Sequence, residues 1–493
     1  MTTSLSTASS TSVSDTAPRT EVQQLAEFVD RAAFEDIGPE ALEQLKIRVL
    51  DTLGVAIGAL DAEPIRAVRG LVDDLGASRA GAPGEPAPRL SATLIGGGHA
   101  APDRAAFLTS ALSRYLDFMD SYLAKGETGH PSDNLGAVLA ASESVGGSGR
   151  DLLTALAVAY QVQSRLSDEA PVRGAGFDHT TQGAYAAAAG AAKALGLPVE
   201  QIAHAIAISG TANNALRVTR TGNLSHWKGL AYPQVAKEGT FAALLAGRGI
   251  TGPEEVFEGN KGFKQSIAGD FTIDWSTEDL EAVRRSIIKR HNAEIHSQSA
   301  LDAAQEVRSQ DGFNVEAIAS VRLTTFDVAH SIIGGGEEGD KRTVRSKEEA
   351  DHSLPWMLAV MLCDGELTPA QYHHERIIAE DVQGLMGTVE IVPSDEFSQR
   401  FPQAMPADLE VTLVDGTTFR ASRDSYRGFH TDPLDWDGAR RKFDGLAAPF
   451  AGTRLRDEVA GIVHDLESHT VADLTAALAR VSTTRAEAAD SAA

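Results

Sequence analysis

The feature that most constrains this fold is a run of small residues at positions 183–195. Its sequence, GAYAAAAGAAKAL, is mostly alanine and glycine, and it is followed by Gly196 and Pro198. Alanine has the highest helix propensity, and glycine followed by proline is a helix stop signal. The run therefore predicts a helix with few bulky side chains, packed closely against its neighbours. We expect Gly190 to mark such a contact rather than a break.

Helical patterns dominate on both sides of this run, from Glu21 to about Gly249. Leu25, Phe28 and Val29 begin an apolar face with helical spacing. The pattern changes after about residue 284. From there on, short segments alternate apolar and polar side chains in the manner of strands.

Three segments carry the strand signal. Residues 321–324 and 388–392 alternate, and Asp415-Gly416 between two alternating runs indicates a hairpin. Helical patterns return from Pro433.

We therefore predict a mainly α fold. A large all-helical domain, residues 21–284 and 431–485, is interrupted by a smaller α+β domain, residues 285–430. Residues 1–20 are rich in serine and threonine and are expected to form a disordered tail.

The 493-residue chain has a net charge of −25, which argues against nucleic acid as a partner because phosphate binding requires a basic surface. An acidic protein that binds an anion must gather its basic residues locally. No stretch approaches the roughly 20 apolar residues of a membrane span, so we expect no membrane partner. Cys363 is the single cysteine, which excludes an intrachain disulfide and fits a reducing cytoplasm.

The first segment that suggests chemistry is DFMDS at residues 117–121, followed by GHPSDNLG at residues 129–136. A histidine before proline is disfavoured inside a helix, so His130 should lie where a loop meets a helix, with Pro131 near the first turn. Such a helix end favours anions, and an imidazole there can act as acid or base. A capping loop with solvated acids explains the same residues without a site.

Two further segments supply a histidine and a cluster of cations. His179 stands directly before the alanine-rich run, where it either serves a site or only packs. Arg217, Arg220, Lys228 and Lys237 then fall within 21 positions of an otherwise acidic chain. Arginine suits bidentate carboxylate binding and lysine supplies a compact positive charge. This predicts a substrate-binding role for the arginines, with a solvated basic face as the alternative.

The last two segments are predicted to open helices. Residues 289–299, KRHNAEIHSQS, are dense in polar groups and include Glu294 and His296. Residues 351–356, DHSLPW, lead through Trp356 into an apolar run. Ordinary polar helix entrances remain the alternative explanation for both.

Several familiar catalytic motifs are missing from the sequence. It contains no G-x-S-x-G elbow, no Walker A lysine loop and no H-E-x-x-H pair. With a single cysteine, the chain cannot form a thiolate zinc or iron–sulfur site of its own. We therefore expect neither a cofactor nor a metal.

In this order and spacing, the five segments resemble the MmgE/PrpD family over roughly residues 22–480. The strongest matches are D-F-x-D at residues 117–120 with residues 129–136, and NAEIHSQ at residues 292–298. The family includes 2-methylcitrate dehydratase, cis-aconitate decarboxylase and some epimerases, and residues 129–136 look more like the dehydratases. The resemblance implies a helical domain with an α+β lid, assembled as a homodimer.

The resemblance also implies a set of site residues. Six positions match it: Asp117 and Ser121 at the border of the pocket, the histidines His130 and His179, and the lysines Lys228 and Lys289. Two positions depart from it. Glu294 stands where decarboxylase members have a histidine, and Trp356 stands where many members have a tyrosine, whose acid role tryptophan cannot take.

The implied reaction is the dehydration of 2-methylcitrate, or a related tricarboxylate, to 2-methylaconitate. It needs a base, an acid and fixed positive charge near a carboxylate. His130 is the candidate acid or base, Lys228, Lys289 and Arg217 would hold carboxylates, and Asp117 would orient a neighbouring group. The alternatives are decarboxylation or epimerisation of a related acid, a non-catalytic helical interaction protein, and a His/carboxylate metal hydrolase.

Overall fold

The computed structural model of the protein describes residues 19–77 and 90–485. The tail predicted for residues 1–20 lies outside this range except for its last two residues. Thr20 caps the first helix, because its side chain accepts a hydrogen bond from the backbone N–H of Gln23. No helix in the described ranges is both long and apolar enough to cross a membrane.

The chain is mainly α, as predicted. Its first nine helices are α1 (Glu21–Arg31), α2 (Pro39–Gly58), α3 (Glu63–Asp74), α4 (Pro102–Tyr115), α5 (Leu135–Ser144), α6 (Gly149–Glu169), α7 (Thr180–Ala194), α8 (Val199–Ala212) and α9 (Trp227–Ala246). The later helices are α10 (Gln298–Arg308), α11 (Asp327–Ile333), α12 (Lys347–Ala350), α13 (Leu354–Asp364), α14 (His374–Ile377), α15 (Glu380–Met386), α16 (Asp395–Arg400), α17 (Trp436–Ala447), α18 (Thr453–His464) and α19 (Val471–Leu478).

Short strands accompany these helices. They are β1 (Ala92–Thr93), β2 (His99–Ala100), β3 (Asp120–Leu123), β4 (Thr128–Gly129), β5 (Ile287–Ile288), β6 (Ile318–Thr325), β7 (Val389–Pro393), β8 (Ala407–Leu413) and β9 (Thr418–Arg423). The last four form one sheet in the order β7-β6-β8-β9, in which only β6 and β7 run parallel. The strands predicted near residues 321 and 389 and the hairpin at Asp415-Gly416 are therefore confirmed.

Two large hydrophobic clusters divide the described chain. One extends from Val22 to Ile288 and resumes from Ala439 to Val481, whereas the other extends from Ala293 to Ala421. We call residues 21–284 with 431–485 the helical part and residues 285–430 the α+β part. The boundary between the two hydrophobic clusters lies close to residue 285. The resemblance to the family implies that the α+β part moves as a lid, and this motion stays a prediction.

Close packing of the alanine-rich helix α7 is confirmed. A Cβ at Gly190 would lie 2.8 Å from Val138 Cγ2 and 3.0 Å from Ala159 Cβ, so glycine lets α5 and α6 approach. Glycine has the same use between α2 and α17, where a Cβ at Gly54 would lie 3.0 Å from the Cα of Phe443. Helices that touch this closely fix the framework on which the site residues are mounted.

The helical part is not entirely helical, which corrects the prediction. In it, β3 pairs with β4, and β3 also pairs with β5 of the α+β part, joining Asp120 to Ile288 and Ser121 to Ile287. Extended backbone is needed here because His130 precedes a proline and because two distant segments must meet. The strands bring the segment after α4 beside the segment that follows Ile288.

Candidate active site

A small cavity of about 40 Å³ lies where the helical and α+β parts meet. Eight predicted site residues line it: Asp117, His130, His179, Arg217, Arg220, Lys289, Glu294 and His296. Both parts contribute to this lining. The structure therefore brings together residues up to about 180 positions apart in the sequence.

A cavity of about 850 Å³ is lined by six lysine or arginine side chains, but Lys289 is the only predicted site residue among them. Another cavity, of about 860 Å³, has a chemistry that does not suit a polycarboxylate. Five carboxylates and three arginines line it, the carboxylates belonging to Glu40, Glu43, Glu278, Asp279 and Glu281. The small cavity has the opposite balance, with five lysine or arginine side chains and four carboxylates. In a chain with a net charge of −25, this is the local gathering of cations that an anion site requires.

Asp117 is the centre of the charge network. Lys289 Nζ donates to Asp117 Oδ1 at 2.7 Å and to its carbonyl oxygen at 2.7 Å. Lys228 Nζ lies 3.2 Å from Asp117 Oδ2, and Arg114 Nη1 donates to Oδ1 at 2.9 Å. Both predicted lysines therefore contact one buried carboxylate.

The backbone and the charge of Asp117 are both unusual. Its φ is +54°, in the left-handed region that residues other than glycine seldom occupy and that recurs at functional sites. Burial disfavours its charge, but Lys289, Lys228 and Arg114 more than offset this and hold its pKa well below the usual range. Asp117 is thus a permanent anion that positions two lysines.

His130 lies where predicted, directly before a short 3₁₀ turn, Pro131–Asn134, that leads into α5. Its Nδ1 lies 2.8 Å from the carbonyl oxygen of Asp120 and 3.1 Å from Ser121 Oγ. A carbonyl only accepts hydrogen bonds, so Nδ1 carries the proton and Nε2 of the neutral ring is free to act as a base.

Three other histidines line the cavity, and a nearby carboxylate anchors each through Nδ1. A carboxylate that holds one ring nitrogen fixes the tautomer and leaves the other nitrogen for a ligand. The pairs are Asp178–His179 at 3.2 Å, Glu294–His296 at 2.7 Å and Asp351–His352 at 2.8 Å.

Burial favours the neutral form of His130, His179 and His352. It lowers the pKa of His130 well below the ordinary value, and nearby Arg114 adds to the effect. It lowers the pKa of His179 to about 3 against the opposing charge of Asp178, and it also lowers that of His352. A neutral imidazole keeps a free ring nitrogen that can accept a proton, and a lowered pKa makes the imidazolium release that proton readily.

Lys228 joins Asp117 to a second buried carboxylate. Its Nζ lies 2.5 Å from Asp351 Oδ1, and Lys347 Nζ lies 2.6 Å from Asp351 Oδ2. Asp117, Asp351 and His352 have ligand atoms close enough together to hold a metal ion. The ammonium group of Lys228 already contacts both carboxylates, so these residues do not fit an added cation.

Arg220 and Arg217 have different surroundings. Arg220 is saturated, because its Nε donates to Asp178 Oδ2 at 2.8 Å and its Nη1 donates to the Lys228 carbonyl oxygen at 2.8 Å. Arg217 instead donates to Glu338 of the α+β part at 2.5 Å. Arg220 therefore holds the site together, whereas Arg217 faces an acid that belongs to the other part of the chain.

Three predicted residues do not line the cavity: Lys228, which contacts Asp117 behind it, Ser121 and Trp356. Ser121 is fully buried and contacts His130, so it supports the imidazole from behind. Trp356 is fully buried in the core of the α+β part, where its ring packs on Tyr372 and its N–H donates to the carbonyl oxygen of Ile377. The indole N–H of Trp356 is therefore already bonded within the core, and the residue does not line the cavity.

The structure also adds titratable residues that were not individually predicted as site residues, although His352 belongs to the segment 351–356. They are Arg114, Glu127, Arg173, Glu338 and His352. A signal for His352 was present, because the Asp-His pair at residues 178–179 recurs at residues 351–352. No local pattern distinguishes the other four.

Comparison with known proteins identifies the family of this chain. The MmgE/PrpD N-terminal domain matches residues 23–276, and the MmgE/PrpD C-terminal domain matches residues 291–468. The chain belongs to the MmgE/PrpD family. The lining of the cavity comes from both matched domains of this family.

Curated MmgE/PrpD relatives cover most of the chain. The 2-methylcitrate dehydratase of Escherichia coli is 27% identical over 86% of this chain and 88% of its own length. The mitochondrial 2-methylcitrate dehydratase of Yarrowia lipolytica is 27% identical over 80% of this chain and 77% of its own. The cis-aconitate decarboxylase of Mus musculus is 28% identical over 74% and 76%. The similarity thus extends to more than one reaction.

Proposed function

We propose that this chain is a cofactor-independent hydro-lyase that removes water from 2-methylcitrate, or a related tricarboxylate, to give 2-methylaconitate. The observation that carries the proposal is the pairing of a neutral base with fixed cations. The Nδ1–H of His130 donates a hydrogen bond to the carbonyl oxygen of Asp120. His130 also lines the same cavity as the Lys289–Asp117 pair. A neutral base and fixed cations are the groups needed to take a proton from a carbon next to a carboxylate.

In the proposed reaction, Nε2 of His130 takes the proton from the carbon, and the C–H electron pair forms the double bond. Lys289 and Arg217 hold substrate carboxylates and stabilise the negative charge that develops there. The hydroxyl leaves with its electron pair and receives the proton back from the imidazolium of His130, which departs as part of water. The hydrogen and the hydroxyl would then leave from the same face of the substrate.

Two observations favour dehydration over decarboxylation. The Escherichia coli and Yarrowia lipolytica relatives are 2-methylcitrate dehydratases that align over four fifths or more of this chain. Decarboxylase members of the family have a histidine at the position of Glu294. In this chain, the Glu294 carboxylate is hydrogen-bonded to His296 and fixes the orientation of its ring. Decarboxylation of a related acid is the second candidate, because the mouse cis-aconitate decarboxylase has a comparable identity of 28% over 74% of this chain.

Incubation with a panel of tricarboxylates and dicarboxylates, followed by mass spectrometry, tests the proposal. Loss of one water from 2-methylcitrate is expected, and it should persist after chelation. Loss of carbon dioxide would establish decarboxylation, and conserved mass with altered stereochemistry would establish epimerisation. Activity that chelation abolishes would support a metal hydrolase. No turnover of any acid would support a non-catalytic helical protein.

The proposed assembly is a cytoplasmic homodimer that binds a small polycarboxylate. The helical part exposes several large apolar side chains, including Leu216, Val218, Trp227 and Phe241, which are 46–69% exposed. Exposed apolar groups of this size suit an interface between subunits. The dehydration would serve the methylcitrate cycle of propionate catabolism.

A further inference from the structure

Glu338 of the α+β part reaches across to two arginines of the helical part. Its Oε1 accepts hydrogen bonds from Arg173 Nη2 at 2.9 Å and from Arg217 Nη2 at 2.5 Å. All three side chains line the cavity that holds His130 and Lys289. A carboxylate between two guanidinium groups is the arrangement expected of a bound carboxylate ligand.

The fit of Glu338 to its partners is incomplete. The residue is only 5% exposed, yet its Oε2 has no hydrogen-bond partner in the described part of the chain. The Nε of Arg217 likewise lacks one among the described residues. Buried polar groups are normally satisfied, and an unpaired one disfavours the arrangement that buries it. A better-placed carboxylate could therefore replace Glu338.

The segment that carries Glu338 is a glycine-rich connection with few side chains to hold it in place. Residues 334–340 read GGGEEGD between α11 and α12, and Gly335 and Gly339 have φ values of +99° and +97°. Glu337 next to it is exposed, so burial is specific to one of two adjacent glutamates. The cavity of about 40 Å³ is also far below the roughly 300 Å³ or more of small-molecule pockets, so something must leave before a tricarboxylate enters.

We propose that Glu338 holds the place of a substrate carboxylate, and that Arg173 and Arg217 form the subsite that receives this carboxylate when Glu338 swings out. The proposal rests on the proposed function only in requiring a polycarboxylate ligand. Exchange of one carboxylate for another keeps the charge of the subsite constant. Because the two carboxylates compete, Glu338 lowers the apparent affinity for the ligand by the fraction of time it occupies the arginines.

The test is calorimetric binding of propane-1,2,3-tricarboxylate, which has no hydroxyl to lose and so reports on binding alone. Glu338→Gln keeps the size of the side chain and removes its charge. It should bind the tricarboxylate about tenfold more tightly or better. Glu337→Gln, the matched control, should bind as the unaltered protein does, and Arg173→Met should bind at least about tenfold more weakly.

Equal or weaker binding by Glu338→Gln overturns the proposal, because it would make Glu338 a structural or substrate-contacting group. Hydrogen exchange of the unaltered protein provides a readout that needs no variant. Exchange at residues 334–346 should speed up when the tricarboxylate binds, and slower exchange there would also overturn the proposal. If these binding results hold and no tricarboxylate is dehydrated, the carboxylate subsite stands and the proposed reaction fails.

Discussion

Lys289 holds Asp117 twice, donating from one ammonium group to the backbone carbonyl and to the side-chain carboxylate at 2.7 Å each. The two residues come from different segments, Asp117 from the end of α4 and Lys289 from the residue after β5. The contact therefore joins the helical part to the start of the α+β part.

We expect Lys289→Met and Lys228→Met each to weaken the binding of a tricarboxylate inhibitor by at least about 1.5 kcal/mol, because each removes a cation from the site. Each should also lower the free energy of unfolding by about 3 kcal/mol, since Asp117 loses a buried partner. Lys237→Met, on the half-buried face of α9, is the control and should cost less than about 1 kcal/mol. Calorimetry and urea unfolding measure both effects.

The double variant Asp117→Asn, Lys289→Met separates the two effects. It should recover part of the lost stability, because the buried carboxylate that lost its lysine at 2.7 Å is gone, but none of the lost binding. Unchanged binding in both single lysine variants would remove the lysines from the site.

His130→Ala should lower turnover by about 10²-fold or more, the usual scale of acid–base catalysis, while the protein stays folded. His374, an exposed histidine on α14, provides the control, and His374→Ala should retain full turnover. Steady-state kinetics together with circular dichroism checks both variants. Near-normal turnover by His130→Ala would assign the proton transfer to another group.

Stability should fall as the pH falls from about 6.5 towards 3. Burial lowers the pKa of His179 to about 3, whereas the unfolded chain has the ordinary value near 6.5. The unfolded state therefore binds more protons in this range and is favoured by acid. At pH 5, His179 alone should cost about 2 kcal/mol relative to pH 7.5.

Urea unfolding at the two pH values checks this expectation. His179→Asn, which keeps a hydrogen-bond donor towards Asp178, should reduce the difference. Equal stability of the unaltered protein at pH 5 and pH 7.5 would mean that the buried histidines are not held neutral.

A bound tricarboxylate should slow hydrogen exchange at the junctions near residues 285 and 430. The cavity draws its lining from both sides of these junctions, so a ligand that contacts both sides should favour one closed arrangement. Mass spectrometry of exchange with and without the ligand measures the effect. If the ligand leaves the rate of hydrogen exchange unchanged at both junctions, the binding site lies elsewhere.

Light scattering at micromolar concentration should give twice the chain mass of 52.0 kDa. If the apolar face of α9 lies in the interface, Phe241→Glu should shift the mass towards the monomer. Val414→Glu is the matched control, because Val414 is also exposed and lies in the turn between β8 and β9. A mass of one chain for the unaltered protein would contradict the homodimer.

The parts of the site that could be predicted are those with a local signal. His130 was found because a histidine before proline belongs at a helix entrance, and Lys289 because it opens a polar segment that resembles the family. Trp356 illustrates the limit of position matching. It occupies the place of a family tyrosine, but its ring is buried in the core and its N–H is already bonded.

Glu338 shows why other parts could not be predicted. Nothing in the glycine-rich sequence around it distinguishes it from Glu337. Its burial is decided by Arg173 and Arg217, which lie more than 100 positions earlier in the chain. Likewise, the short strands were missed because two-residue pairings such as β5 with β3 depend on tertiary contact rather than on an alternating pattern.

The packing of α17 on α2 has a consequence for how the protein is made. Gly54 on α2 lacks a Cβ, which lets Phe443 of α17 pack directly against its backbone. Roughly 380 residues separate the end of α2 from the start of α17. At the usual pace of translation, α2 waits roughly 20 to 75 seconds for its partner to be synthesised. During that interval α4 and α6 are already available to cover part of α2, but the surface around Gly54 stays open to solvent until the ribosome has delivered the C-terminal helices.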